Sequence, residues 1–175
     1  MNVHRFFVAL LVMAQIGCAA RRSDAGARAA MATLRSVTGA SIGIVRFDPA
    51  AGGVRVTGQL TGLPPGAHGM HLHAVGLCEP PAFTSAGGHF NPRNTRHGLI
   101  SPEGPHAGDL PAIAADANGV ARVDHTTSLV TLGDGAHSVF DGDGTAVVVH
   151  AAGDDQRTDP SGNSGARIAC GVIER

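Results

Sequence analysis

The residues best placed to do chemistry are histidines, which occur ten times against three cysteines. His71-Leu72-His73 reads as part of a strand. Residues two apart on a strand project from one face, with Cα atoms about 7 Å apart, so both imidazoles can reach one ion. Taken alone such a pair is common on a strand surface. Downstream, a long polar segment carries His89, His97, His106 and Asp109 with no cysteine between them. Three imidazoles and a carboxylate suit tetrahedral Zn²⁺. Ligation also supplies order that a long coil cannot draw from packing. Each of these residues singly would read as a solvated loop side chain; four together favour a site. His150 ends the apolar run Val147-Val148-Val149, where a buried imidazole needs a partner and reads equally as a satisfied core residue.

The elements that must position these residues are β-strands. Ser41–Phe47 and Gly53–Leu60, parted by Asp48-Pro49-Ala50-Ala51-Gly52, form a hairpin signal. Further short strands are expected over Met70–Val75, Gly119–Thr126, Ser128–Leu132, Thr145–His150 and Arg167–Ile173, between Gly, Pro, Asn and Asp clusters. This spacing predicts an all-β fold, an antiparallel Greek-key sandwich or barrel. Two stretches, Gly76–Asp109 and Ala151–Ala166, are too long and polar for turns and are expected to be functional loops.

At 175 residues and 17.7 kDa the chain fits one globular domain. All thirteen cations are arginine and the formal charge is −1, which argues against a nucleic-acid surface. Trp and Tyr are absent, which removes the usual stacking platforms for bases. At the N-terminus, His4 and Arg5 precede the apolar run Phe6–Met13, too short to span a bilayer, and then small residues. Residues 1–17 read as a signal peptide, 18–36 as a flexible tether and 37–175 as the folded domain. Ile16-Gly17-Cys18 resembles the end of a bacterial lipoprotein signal, although Gln15 stands where Leu is usual; a plain secretory peptide cut after Ala20 is the alternative. Localisation is thus expected in the periplasm or cell envelope, with membrane contact only through a lipid at Cys18. In that oxidising setting Cys78 and Cys170 are left to pair.

Five blocks in order carry a resemblance to a known family: Gly66–His73, Gly88-His89-Phe90-Asn91-Pro92, Gly104–Leu110, Val148-Val149-His150 and Gly162–Ile173. Over residues 38–174 the chain resembles a copper/zinc superoxide dismutase of the bacterial exported type. The resemblance implies one copper per subunit on His71, His73, His89 and His150, and one zinc on His89, His97, His106 and Asp109, with His89 bridging. It implies that Asp154 orients His71 and His97, that Arg167 attracts the superoxide substrate beside copper, and that Cys78–Cys170 tethers the Gly76 loop. His68 takes a position that holds loops together; His125 and His137 match nothing and are expected at the surface. Asp141-Gly142-Asp143-Gly144 lacks the glutamate of a calcium loop and reads as a turn. The loop 151–166 has Arg157 as its one cation and none of the lysines common in the family, which implies weaker steering. The segment between His73 and His89 follows the bacterial pattern, so the eukaryotic dimer interface does not carry over; a homodimer stays open as the assembly. A non-catalytic copper/zinc-binding envelope protein of the same fold is the alternative function.

Overall fold

A computed structural model describes residues 28–175. It contains nine strands, β1 Ala30–Ser36, β2 Ser41–Ala50, β3 Gly53–Leu60, β4 Gly66–His68, β5 Met70–His73, β6 Ile113–Ala115, β7 Ala121–Thr127, β8 Ala146–His150 and β9 Arg167–Glu174. All pairings between them are antiparallel, in the order β4-β6-β7-β3-β2-β1-β9-β8-β5. The two edge strands, β4 and β5, are consecutive in the chain with only Gly69 between them, so the sheet curls into a nearly closed barrel. Closure removes most of the edge that an open sheet would expose. Among the described residues no helix is long and apolar enough to cross a membrane.

The tether expected over 18–36 ends earlier than its composition indicates. Residues 30–36 form β1, which pairs with β2 on one side and β9 on the other. Ala30, Ala32 and Leu34 face the core while Met31, Thr33 and Arg35 face out. Alanine is a poor strand former by itself, and two pairing partners override that preference. Cys18 and the proposed signal lie outside the described residues.

Three other expectations change. Ser128–Leu132 is not a strand: Val130 and Leu132 are buried, but they anchor a loop over 128–145 whose one ladder contact is Thr131 with Ser138. Strand β2 continues through Asp48-Pro49-Ala50, leaving Ala51-Gly52 as the turn. The short strands β4 and β6 had no apolar run to announce them; they pair with each other through His68 and Ile113.

The core is filled by inward residues such as Leu34, Val45, Phe47, Val56, Leu60, Met70, Leu72, Leu110 and Val147. A second apolar cluster of Phe83, Ala86, Ala146, Val148 and Cys170 lies across β8 from it. Strands β5 and β8 are therefore buried on both faces. Met70 and Leu72 enter the core, which directs His71 and His73 to the opposite face, beneath the long loops.

Candidate metal centre

Register on β5 and β8 sets the first histidines. His71 pairs with Val148 and His73 with Ala146, so His150 stands two residues beyond Val148 on the same side. A register shift between Val149 and His150 marks an irregularity of the kind that re-aims a side chain at the end of a strand. His68 secures this corner: Nδ1 lies 2.7 Å from the His150 carbonyl oxygen and Nε2 2.7 Å from that of Pro64.

The loop from 74 to 112 is laid along β5 by backbone bonds. Phe90 N–H donates to Leu72 O, Leu72 N–H to Gly108 O, and Gly108 N–H to Phe90 O, each at 2.8 Å. A Cβ at Gly108 would overlap the Leu72 carbonyl, so only glycine permits this approach. The result places His89 opposite His73 and Asp109 opposite His71.

Two groups of side chains converge, and His89 belongs to both. One ligand atom from each of His71, His73, His89 and His150 lies within 4.8 Å of the others; so do those of His89, His97, His106 and Asp109. In the first group each imidazole uses one nitrogen to fix its ring. His71 Nε2 donates to Asp154 Oδ2 at 2.6 Å, His73 Nδ1 to Gly87 O at 2.9 Å, and His150 Nδ1 to Gly165 O at 3.1 Å. His89 Nδ1 donates to Asp109 Oδ1 at 3.0 Å. The remaining nitrogens, His71 Nδ1 and Nε2 of His73, His89 and His150, are buried without a partner. Buried polar atoms are rarely left unpaired, so four unpartnered acceptors facing one another suit a cation that favours nitrogen.

In the second group the Nδ1 atoms of His89, His97 and His106 all lie 3.0–3.2 Å from Asp109 Oδ1. Asp109 Oδ2 is held by the N–H groups of Gly98 and His106, at 2.8 and 2.9 Å. Three imidazoles and a carboxylate are a donor set that suits tetrahedral zinc. Asp154 links the groups, accepting from His71 through Oδ2 and from His97 Nε2 through Oδ1 at 3.0 Å. Gly162 packs against this carboxylate so closely that a Cβ would overlap Oδ1.

Burial disfavours charge on the first group. It takes His73 down to about 2, with the His89 ring adding to the effect. It takes His89 to about 4 against the opposing pull of Asp109, and His150 to about 4. Burial opposes charge on His97 as well, but bonds to Asp109 and Asp154 outweigh it and raise this imidazole to about 9. Burial likewise opposes ionisation of Asp109 and Asp154, and the histidine bonds prevail, holding both below the usual carboxylate range.

Arg167 borders a cavity of about 230 Å³ that is also lined by His73, His89, His150, Pro160 and Ser161. It is half-buried, and its NH1 and NH2 groups donate to Phe83 O and Gly87 O, both at 2.6 Å. Cys78 and Cys170 form a disulfide, with Cα atoms 5.6 Å apart. His137 and His125, expected at the surface, are half-buried: His137 donates to Leu129 O and accepts from Arg93 Nε. Asp141–Gly144 is a turn. Sequence reasoning missed Asp159, whose Oδ1 accepts the His97 N–H at 2.5 Å, because nothing in a polar loop marks which acid folds back.

Comparison with known proteins gives the class. Residues 41–173 match the copper/zinc superoxide dismutase family. A copper/zinc superoxide dismutase of Aquifex aeolicus is 47% identical over 146 residues, covering 82% of this chain and 85% of that protein. The superoxide dismutase of Caulobacter vibrioides is 42% identical over 148 residues, 83% of this chain and 85% of its own. A crystal structure of a superoxide-dismutase-like protein from Bacillus subtilis superposes with a TM-score of 0.78 at 37% identity, over 81% of this chain and 96% of that one. The chain belongs to the copper/zinc superoxide dismutase family, whose members are oxidoreductases.

Proposed function

We propose that this domain dismutates superoxide in the cell envelope, binding one copper on His71, His73, His89 and His150 and one zinc on His89, His97, His106 and Asp109. The observation that carries this reading is the set of four buried, unpartnered imidazole nitrogens, one of them on a ring whose other nitrogen faces the second group. Copper, when bound, supplies a centre that takes an electron from one superoxide and returns it to another, so that two superoxide ions and two protons give O₂ and H₂O₂. The protein does the rest. Gly87, Gly165 and Asp154 fix the rings of His73, His150 and His71, leaving the other nitrogen of each unpartnered and free to hold copper when it is bound. His89 Nε2 is the atom placed to hold and deliver a proton, because it alone faces the first group from a ring shared with the second. Arg167 offers a permanent cation at the cavity for an anionic substrate.

The complete second ligand set and Arg167 support an enzyme over a metal buffer, which needs neither a shared ring nor an arginine beside it. Metal analysis with a superoxide-consumption assay tests this: His89→Ala is expected to abolish turnover and weaken both metals. Undiminished turnover with both metals bound would remove the shared-ring assignment. Export is supported by the charged, apolar and small-residue order before Cys18, and anchoring by the Gly17-Cys18 junction. Mass spectrometry of the mature N-terminus decides it, since an unmodified chain starting at Arg21 would exclude the lipid and leave export standing.

A further inference from the structure

Gln156 lies two residues beyond Asp154 at φ 60°, a left-handed conformation that an open turn would ordinarily give to Gly or Asn. Its backbone N–H donates to Asp154 Oδ1 at 2.6 Å, the same oxygen that receives His97 Nε2. Its side-chain amide reaches the other loop with both ends. Oε1 accepts from Leu99 N–H at 3.1 Å, and Nε2 donates to Leu110 O at 3.2 Å. Leu99 stands two residues after His97, and Leu110 directly follows Asp109. Between them, Gly98 donates its N–H to Asp109 Oδ2, and its α-carbon packs so tightly on the Gln156 carbonyl that a Cβ would overlap it.

One residue thus touches the backbone beside two members of the second ligand group, His97 and Asp109, and the carboxylate that orients His71 in the first. We infer that Gln156 is the positioning residue that locks the Asp154 loop onto the backbone flanking His97 and Asp109, and so fixes Asp154 on both His97 and His71. The role needs a side chain of this length with a donor and an acceptor. Glu keeps only the acceptor, and Met keeps only the length. The inference rests on the metal assignment above and adds a residue outside both ligand sets.

The test uses the full-length protein with cobalt in place of zinc, because cobalt reports its coordination through visible absorption. Gln156→Met is expected to lose cobalt to a chelator about tenfold faster than wild type, the scale on which partners of metal ligands act. Its cobalt spectrum should change too, since His97 would no longer be held by a fixed Asp154. Gln156→Glu, which keeps the Leu99 bond, should fall between the two. Thermal midpoints should fall less in the metal-free proteins than in the cobalt-loaded ones, a difference that a merely structural role would not give. Equal release rates and superimposable spectra would overturn the inference, as would a loss of metal-free stability that matches the loss of cobalt. Failure of wild type itself to bind cobalt would instead overturn the metal assignment, and this inference with it.

Discussion

The guanidinium of Arg167 donates to the carbonyl of Gly87 at 2.6 Å, and that same oxygen receives His73 Nδ1 at 2.9 Å. One peptide carbonyl therefore sets both a ring of the first metal group and the cation beside it. Gly87 belongs to the loop that Cys78 ties to β9, the strand that also carries Arg167 and Cys170. The disulfide closes this circuit from strand to loop and back to the arginine.

Opening that circuit should cost stability and activity separately. The bridged cysteines are 92 residues apart. For a loop of that size the chain-entropy model gives a loss of about 4.6 kcal/mol. Cys78→Ser is expected to show that loss in urea unfolding, together with a several-fold fall in kcat/KM at full metal loading, because Phe83 O and Gly87 O would no longer be fixed for Arg167. An unchanged kcat/KM would show that the arginine is held without the disulfide.

The substrate role proposed for Arg167 also has to overcome an unfavourable global field. From residue 37 onward there are eight arginines and thirteen acids, a formal −5, so the domain as a whole repels an anion. A cation in a cleft acts through a less screened field than one on open surface. Arg167→Ala should slow superoxide consumption without emptying the metal sites, and Arg167→Glu should slow it further. Wild-type rates should fall with added salt more steeply than those of either variant. If Arg167→Glu kept full activity at low ionic strength, its role toward substrate would have to be given up.

Much of the placement of the candidate-site residues was legible because strand alternation is local. His71 and His73 alternate with Met70 and Leu72, and two core residues are enough to send two histidines the other way. The fold was legible for the same reason in β2, β3, β7, β8 and β9, whose β-branched runs mark them. It was not legible in β1, where Ala30, Ala32 and Leu34 are held by neighbours distant in sequence. Nor was it in Ser128–Leu132, where burial without ladder partners looks like a strand from composition alone. Residue roles within the second loop were the least legible. Asp154, Asp155 and Asp159 are equivalent as letters, yet Asp154 joins His71 to His97 and Asp159 takes the His97 N–H. Asp155 instead folds its own loop, through Arg157, Thr158 and Asn163. The resemblance singles out Asp154, but only the folded backbone separates Asp155 from Asp159.

The metal-free domain should be acid-labile in a defined window. His89 and His150 are lowered to about 4 and His73 to about 2, whereas an unfolded histidine titrates near 6.5. As pH falls from about 6.5 toward 4 the unfolded chain takes up protons that the folded chain refuses, so stability drops. Asp109 and Asp154, held low by their histidine bonds, add a second loss below the ordinary carboxylate range as they are forced to protonate. Urea unfolding of the metal-free protein across this range should show a continuous decline beginning near pH 6.5. A stability that stays level down to pH 4 would mean that these rings are not buried neutral.

His97 runs the other way and couples zinc to protons. Its Nδ1 faces Asp109 Oδ1 and its Nε2 faces Asp154 Oδ1, both at 3.0 Å, so both nitrogens carry protons in the metal-free protein. With this imidazole raised to about 9, its charge stabilises the fold fully below about pH 6.5, and that contribution is lost as pH rises through 9. Zinc held by the second group, as proposed, would use Nδ1 and would have to displace its proton, while Nε2–H would stay on Asp154. Uptake at neutral pH should therefore release about one proton from this ring, and zinc affinity should rise with pH until about 9. Calorimetric titrations in buffers of different ionisation heat count that proton directly. Asp154→Asn weakens the pair of carboxylates that holds the charge, and should lower the count at pH 7.5 along with the pH at which affinity levels off. A zinc heat that does not depend on the buffer would show that His97 is already neutral, and the second group would then be poised for metal without proton exchange.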